Sequence, residues 1–132
     1  MAETKHAERP LSPHLQIYRP MLTMMMSIMH RVTGVVLYAG VLLLVWWLTA
    51  AATSDEYFNL VQGFFGHWFG RLVLLGFTWA LVHHALGGLR HLLWDTGRGF
   101  DLGMVEKMAR ANIALSVVIT LVLWIVGYGV MP

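Results

Sequence analysis

Cysteine is absent from this chain of 132 residues. Its absence excludes a disulfide framework, thiolate metal sites, covalent c-type haem attachment and Cys-ligated iron–sulfur clusters. Charge is scarce as well: Asp, Glu, Lys and Arg make up 12% of the residues, where a soluble domain carries about 25%. No basic run is dense enough to form a patch, so nucleic acid is excluded as a partner. Internal repeats and low-complexity tracts are missing too, and one domain is expected over residues 1–132. What fills the chain instead is apolar. Hydrophobic residues account for 58%, and the mean hydropathy is +0.63. Such a composition belongs to a membrane protein, for which lipid is the surrounding partner.

Three apolar segments, at about 21–52, 64–93 and 111–130, stand out. Each is long enough to cross about 30 Å of hydrocarbon, which takes roughly 20 helical residues. Nothing alternates with period two, and open backbone is not tolerated in lipid, so a barrel is excluded. The expected fold class is all-α, an integral membrane protein with three transmembrane helices. Thr49 to Ala52 has the small residues of a cleavage site. The apolar stretch before it exceeds the usual signal-peptide core of about 7–15 residues, so the first helix is read as retained. Pro10, Pro13 and Pro20 make residues 1–20 an extended, non-helical segment.

Lys and Arg assign the two sides. Lys5, Arg9, Arg19 and Arg31 precede or open the first span, and Arg90, Arg98, Lys107 and Arg110 surround the second connection. The first connection, about 53–63, has none and carries Asp55 and Glu56 as a solvated face. The positive-inside rule then places the N-terminus and the 94–110 loop in the cytoplasm and the C-terminus in the periplasm. Arg71 departs from the pattern; it falls about two turns into the second span and would snorkel outward. His67 and Arg71, at i and i+4, read as an interfacial pair. Trp46, Trp47, Trp68 and Trp94 match interfacial belts, whereas Trp79 and Trp124 fall deeper, as packing residues do. The absence of an Arg- and Ser-rich leader favours a bacterial inner membrane over a mitochondrial one.

Two constellations carry chemistry. On the second span His84, Gly87, Gly88 and His91 share one helical face. An intramembrane histidine is a functional candidate by default, and a neutral imidazole in a cysteine-free helix suits haem iron. His91 lies about 10 Å from His84 along the axis, so one iron cannot take both, and the second axial ligand must come from elsewhere. The glycines admit a flat macrocycle, and Arg90 and His91 would meet its propionates. The alternative is that His84 merely hydrogen-bonds a neighbouring helix while Arg90 and His91 anchor the interface. His83 points about 100° away and reads as structural. At the inner end of the first span, Ser27, His30 and Arg31 present a hydroxyl, an imidazole and a guanidinium suited to a quinone head group. A fixed cation there stabilises charge developing on a reduced carbonyl oxygen. The competing reading makes Arg31 an interfacial anchor and Ser27 a backbone bonder. Small residues, among them Gly34, Gly40, Gly70, Gly76 and Ser116, supply contact points for helix packing, and so thin a bundle implies a partner subunit.

The run from Arg9 to Tyr18 (RPLSPHLQIY), followed by Ser27 to Gly34 (SIMHRVTG), resembles the N-terminal signature of the succinate dehydrogenase cytochrome b subunit family, the larger membrane anchor of respiratory complex II. His84 to Asp95 (HALGGLRHLLWD) is similar to that family's second signature, H-x-x-x-G-x-R-H leading to an acidic residue and a glycine, here Gly97. The resemblance implies a haem b held jointly with a second, smaller three-helix anchor, with His84 as this chain's axial ligand. His30, Arg31 and His91 would lie around the propionates. Ser27 and Arg31 would contribute to the ubiquinone pocket, with contacts from the other anchor and the iron–sulfur subunit. Succinate oxidation at FAD would occur in a separate flavoprotein subunit, leaving no succinate site in this chain. The other readings are a b-type anchor of a fumarate reductase or a formate-type dehydrogenase, and a haem-free structural subunit.

Overall fold

The computed structural model describes Pro10, residues 14–15 and residues 17–130. Most of the proposed extended segment at 1–20, including Arg9 and Leu11 to Pro13 of the first motif, lies outside the described residues. Among those described are four helices: α1 (Leu22–Thr53), α2 (Asp55–Gly66), α3 (Trp68–Asp95) and α4 (Leu102–Val130). Three of them, α1, α3 and α4, are long and apolar enough to cross a membrane, and the all-α expectation holds.

The connection expected at about 53–63 is instead a helix. Ser54 adopts an extended backbone that ends α1, and its Oγ accepts a hydrogen bond from Tyr57 N–H at 3.2 Å. Asp55 and Glu56 then occupy the first turn, where the helix dipole favours negative charge. One face of α2 folds back on α1. Val61 and Phe65 are buried with Ala50, and Leu43, Trp46, Trp47, Tyr57 and Leu74 pack around them. Trp46 Nε1 donates to Tyr57 Oη at 2.9 Å and Trp47 Nε1 to Gln62 Oε1 at 3.0 Å. These indoles therefore fasten α2 to α1.

The second span begins at Trp68 rather than 64, because Phe64 to Gly66 finish α2. His67 breaks the two helices with an extended backbone, and its Nδ1 accepts from Phe69 N–H at 3.4 Å. Arg71 thus stands in the first turn of α3, not two turns in, and its guanidinium lies 5.9 Å from the Tyr128 ring centroid. At the elbow a side chain on Gly70 would run into the carbonyl of Phe64. α3 ends where Gly97 takes φ 76°, which glycine reaches without strain, and Gly97 N–H closes on Trp94 O at 2.8 Å. The third span starts at Leu102, well before the expected 111. Its first turns carry charge but remain helical, with Glu106 and Arg110 paired at 2.6 Å on the exposed face.

α3 is the centre of the bundle, packed against both α1 and α4. Its N-terminal half meets the middle of α1 through Phe77 on Gly40, where any side chain would overlap the ring. Trp124 Nε1 donates to Thr78 Oγ1 at 3.2 Å, tying α4 to the same half. Few large side chains are fully buried, and of these His83, Thr33 and Ser116 are polar while Val61 alone is aliphatic. Polar contacts between helices therefore position the half of the bundle that contains the histidines.

Candidate functional site

The N-terminal half of α1 and the C-terminal half of α3 bring three histidines together. The rings of His30 and His84 stack with centroids 4.0 Å apart and planes 9° from parallel, and His91 lies 5.1 Å from His30. Helix spacing explains the grouping, since His84, Gly87 and His91 rise along one side of α3 at i, i+3 and i+7. Small residues permit the approach. A Cβ on Gly87 would fall 2.5 Å from His30 Nδ1, and one on Gly34 would fall 3.1 Å from His84 Cε1.

The orientation of His84 is set by α1. Its Nδ1 lies 3.1 Å from the carbonyl oxygen of His30 and 3.2 Å from Thr33 Oγ1. Thr33 is 1% exposed, and its hydroxyl donates to Met29 O at 2.8 Å or His30 O at 3.0 Å. With the hydroxyl proton so directed, Oγ1 and the carbonyl both present lone pairs to Nδ1, which must carry the proton. Both ring contacts fall on Nδ1, and Nε2 makes no hydrogen bond to a described residue. One turn along, a Cβ on Gly88 would meet nothing within 4 Å. The backbone is open there.

His83 faces the opposite way. It is 2% exposed, with Nδ1 3.3 Å from Ser116 Oγ and 3.2 Å from Asn112 Nδ2, and Trp79 packs 5.1 Å from its ring. The structural reading of His83 is what these contacts describe. Arg90 lies on the His83 side of α3, 7% exposed, with its guanidinium 5.0 Å from the Trp94 ring and Nε unpartnered. Ser27, Arg31 and His91 are exposed. Ser27 and Arg31 stand one turn apart on α1, flanking His30 in sequence, and nothing in the described chain encloses them. Among the described residues no three His, Asp or Glu side chains converge as a metal site would require.

A sequence profile of the family described as "Succinate dehydrogenase/Fumarate reductase transmembrane subunit" matches residues 5–123. The chain belongs to this family. It is 45% identical over 128 residues to the succinate dehydrogenase cytochrome b556 subunit of Paracoccus denitrificans, covering 97% of this chain and 98% of that one. The protein of the same name from Rickettsia typhi is 36% identical over 118 residues, 89% of this chain and 92% of its own length. The mitochondrial cytochrome b560 subunit of Sus scrofa is 35% identical over 113 residues, 84% of this chain and 67% of its own.

Within this succinate dehydrogenase/fumarate reductase family member, sequence reasoning singled out His84, His30 and His91, and the fold brings those three rings together. Arg90 is not in the stack itself but lies over the Trp94 ring, whose edge also meets His91. Sequence reasoning missed Thr33 and Asn112, which orient His84 and His83 respectively. The signal was available for both. Asn112 is an amide in an apolar span, and Thr33 follows His30 by three residues, on the same face.

Proposed function

We propose that the whole chain, residues 1–132, acts as a membrane-anchor subunit of a succinate:quinone oxidoreductase. It would bind haem b jointly with a second, smaller anchor and contribute to the ubiquinone-reduction site. The single observation that carries this reading is the clamp on His84. Two oxygen atoms of α1 face Nδ1, Nε2 makes no hydrogen bond to a described residue, and the backbone at Gly88, one turn along, is open. A metal-ligating histidine typically donates its other N–H to a carbonyl in this way. The residues therefore fit a haem, with His84 as the axial ligand.

His91 and Arg31, exposed on either side of His30, would meet the propionates. Arg90 joins them in the propionate region as a guanidinium with an unpartnered Nε and no acidic partner among the described residues. When bound, haem would supply a one-electron redox centre. Ser27 would donate its hydroxyl proton in a hydrogen bond to a quinone carbonyl, and Arg31 would stabilise the negative charge that reduction places there. Electrons would arrive from succinate through FAD in a flavoprotein subunit and clusters in an iron–sulfur subunit. The relatives' names favour succinate oxidation over fumarate reduction as the working direction. By the charge asymmetry, Ser27, Arg31 and His91 would lie at the cytoplasmic side of a bacterial inner membrane and the C-terminus in the periplasm.

The test is spectroscopic. Complex purified with His84→Leu is expected to lose its b-type reduced-minus-oxidised spectrum, whereas His83→Leu is expected to keep it. An unchanged spectrum in the His84 variant would refute ligation by this residue. Loss in both variants would refute the assignment between the two histidines.

A further inference from the structure

At the end of the bundle away from His84, a cavity of about 520 Å³ opens between all four helices. Its polar lining is confined to one end. Arg71 lies in the first turn of α3, Tyr128 near the end of α4, and Gln62 on α2. Below them the walls are Leu43, Phe77 and Leu123 down to Gly40. From Arg71 to Phe77 the slot follows α3 for six residues, about 9 Å at helical rise.

The deep end offers nothing to a polar ligand. Trp124 Nε1 is committed there to Thr78 Oγ1 at 3.2 Å, and nearer the mouth Trp47 Nε1 is committed to Gln62 Oε1 at 3.0 Å. A quinone carbonyl placed at the deep end would be unpaired. At the mouth, Arg71 is an exposed cation, and the ion pair found among the described residues, Glu106–Arg110, lies at the opposite end of the bundle. A cation over an apolar slot in a membrane-spanning bundle is complementary to one kind of molecule, an anionic head group joined to an acyl chain.

We propose that this cavity is a binding site for a single glycerophospholipid, with its phosphate on Arg71 and one acyl chain lying along Phe77 and Leu123. The bound lipid would fill the space between α2 and α4, which no described residue of this chain occupies. The site is independent of the haem and quinone reading, because none of its lining residues belongs to that machinery.

The experiment uses the purified complex with all its subunits, washed in detergent and weighed by native mass spectrometry for retained phospholipid. Two variants alter the site differently. Arg71→Gln removes the head-group contact from an exposed position. Gly127→Leu places a side chain in the cavity, where a Cβ meets nothing within 4 Å. The expected result is one phospholipid fewer per complex in each variant than in the wild type, with haem content and subunit composition unchanged. Equal retention in either variant overturns the proposal. So does loss of quinone in place of phospholipid, or release of a companion subunit from Gly127→Leu, since the cavity would then be occupied by that molecule instead.

Discussion

Thr33 Oγ1 lies 3.2 Å from Nδ1 of His84, across the contact between α1 and α3. Its hydroxyl proton is directed to the carbonyls of the preceding turn, so the oxygen faces the imidazole as an acceptor. In the proposed haem site this contact would make the His84 imidazole a stronger electron donor and so would favour oxidised over reduced iron. Thr33→Val keeps the side chain's shape and removes the acceptor, while the His30 carbonyl still holds the ring. The expected outcome is full haem content with a midpoint potential raised by up to roughly 40 mV. That figure corresponds to one hydrogen bond of about 1 kcal/mol at about 59 mV per tenfold change for one electron. Thr33→Ser should restore the wild-type potential. Redox titration of the purified complex checks it, and a potential unmoved by Thr33→Val removes Thr33 from the ligand's support.

Gly87 and Gly88 are neighbours with different environments. A side chain on Gly87 would press on His30, whereas one on Gly88 would enter open space. Gly87→Ala is therefore expected to disrupt the His30–His84 stack and lower assembled complex, at the cost of about 1–3 kcal/mol typical of overpacking. Gly88→Leu should leave the bundle intact and reduce haem occupancy, because its side chain fills the space proposed for the macrocycle. Haem-to-protein ratio and yield of intact complex separate the two effects. A Gly88→Leu complex with full haem would show that the macrocycle does not lie against this turn.

The legibility of this chain in its sequence followed from hydropathy. Long apolar runs announce spans because lipid leaves backbone groups no other partner. The same criterion failed where charge or punctuation intervened. Asp55 and Glu56 disguised α2 as a solvated connection, although Ser54 before them is a helix-starting residue. Glu106, Lys107 and Arg110 hid the first turns of α4, which an i, i+4 ion pair supports outside the apolar run. Within the site, spacing along α3 separated His83 from His84, because 100° per residue is a property of the helix alone. Spacing did not reveal that Arg90 turns inward toward Trp94, since that depends on where α1 and α4 pack.

His83 makes the buried polar link between α3 and α4. Replacing it with Leu leaves Asn112 and Ser116 with fewer partners in a helix interface surrounded by lipid. Interhelical hydrogen bonds in such settings are worth about 0.6 kcal/mol on average and up to about 1.7. The expected loss for His83→Leu is therefore about 1 kcal/mol, visible as a modest drop in the temperature at which the detergent-solubilised complex dissociates. Asn112→Ala should give a loss of similar size, and the double variant less than the sum, because the two residues share one contact. Strict additivity would mean that the contact contributes nothing.

Ser27 and Arg31 test the quinone assignment separately from assembly. Both are exposed on α1, and neither makes a side-chain hydrogen bond to another described residue, so their removal leaves no buried group unpaired. If they act on a quinone carbonyl, Ser27→Ala and Arg31→Leu should each lower quinone reduction by at least about tenfold. Removing a single preorganised donor from an oxyanion site costs about 10²–10³ in rate where the site is well enclosed. Succinate oxidation with an artificial acceptor, which draws electrons before the membrane, should be unchanged. Arg31→Lys keeps the charge but not the fork of donors, and it should recover part of the activity if charge stabilisation dominates. A parallel fall in both activities would mean that these residues serve assembly, and the quinone would have to be bound elsewhere.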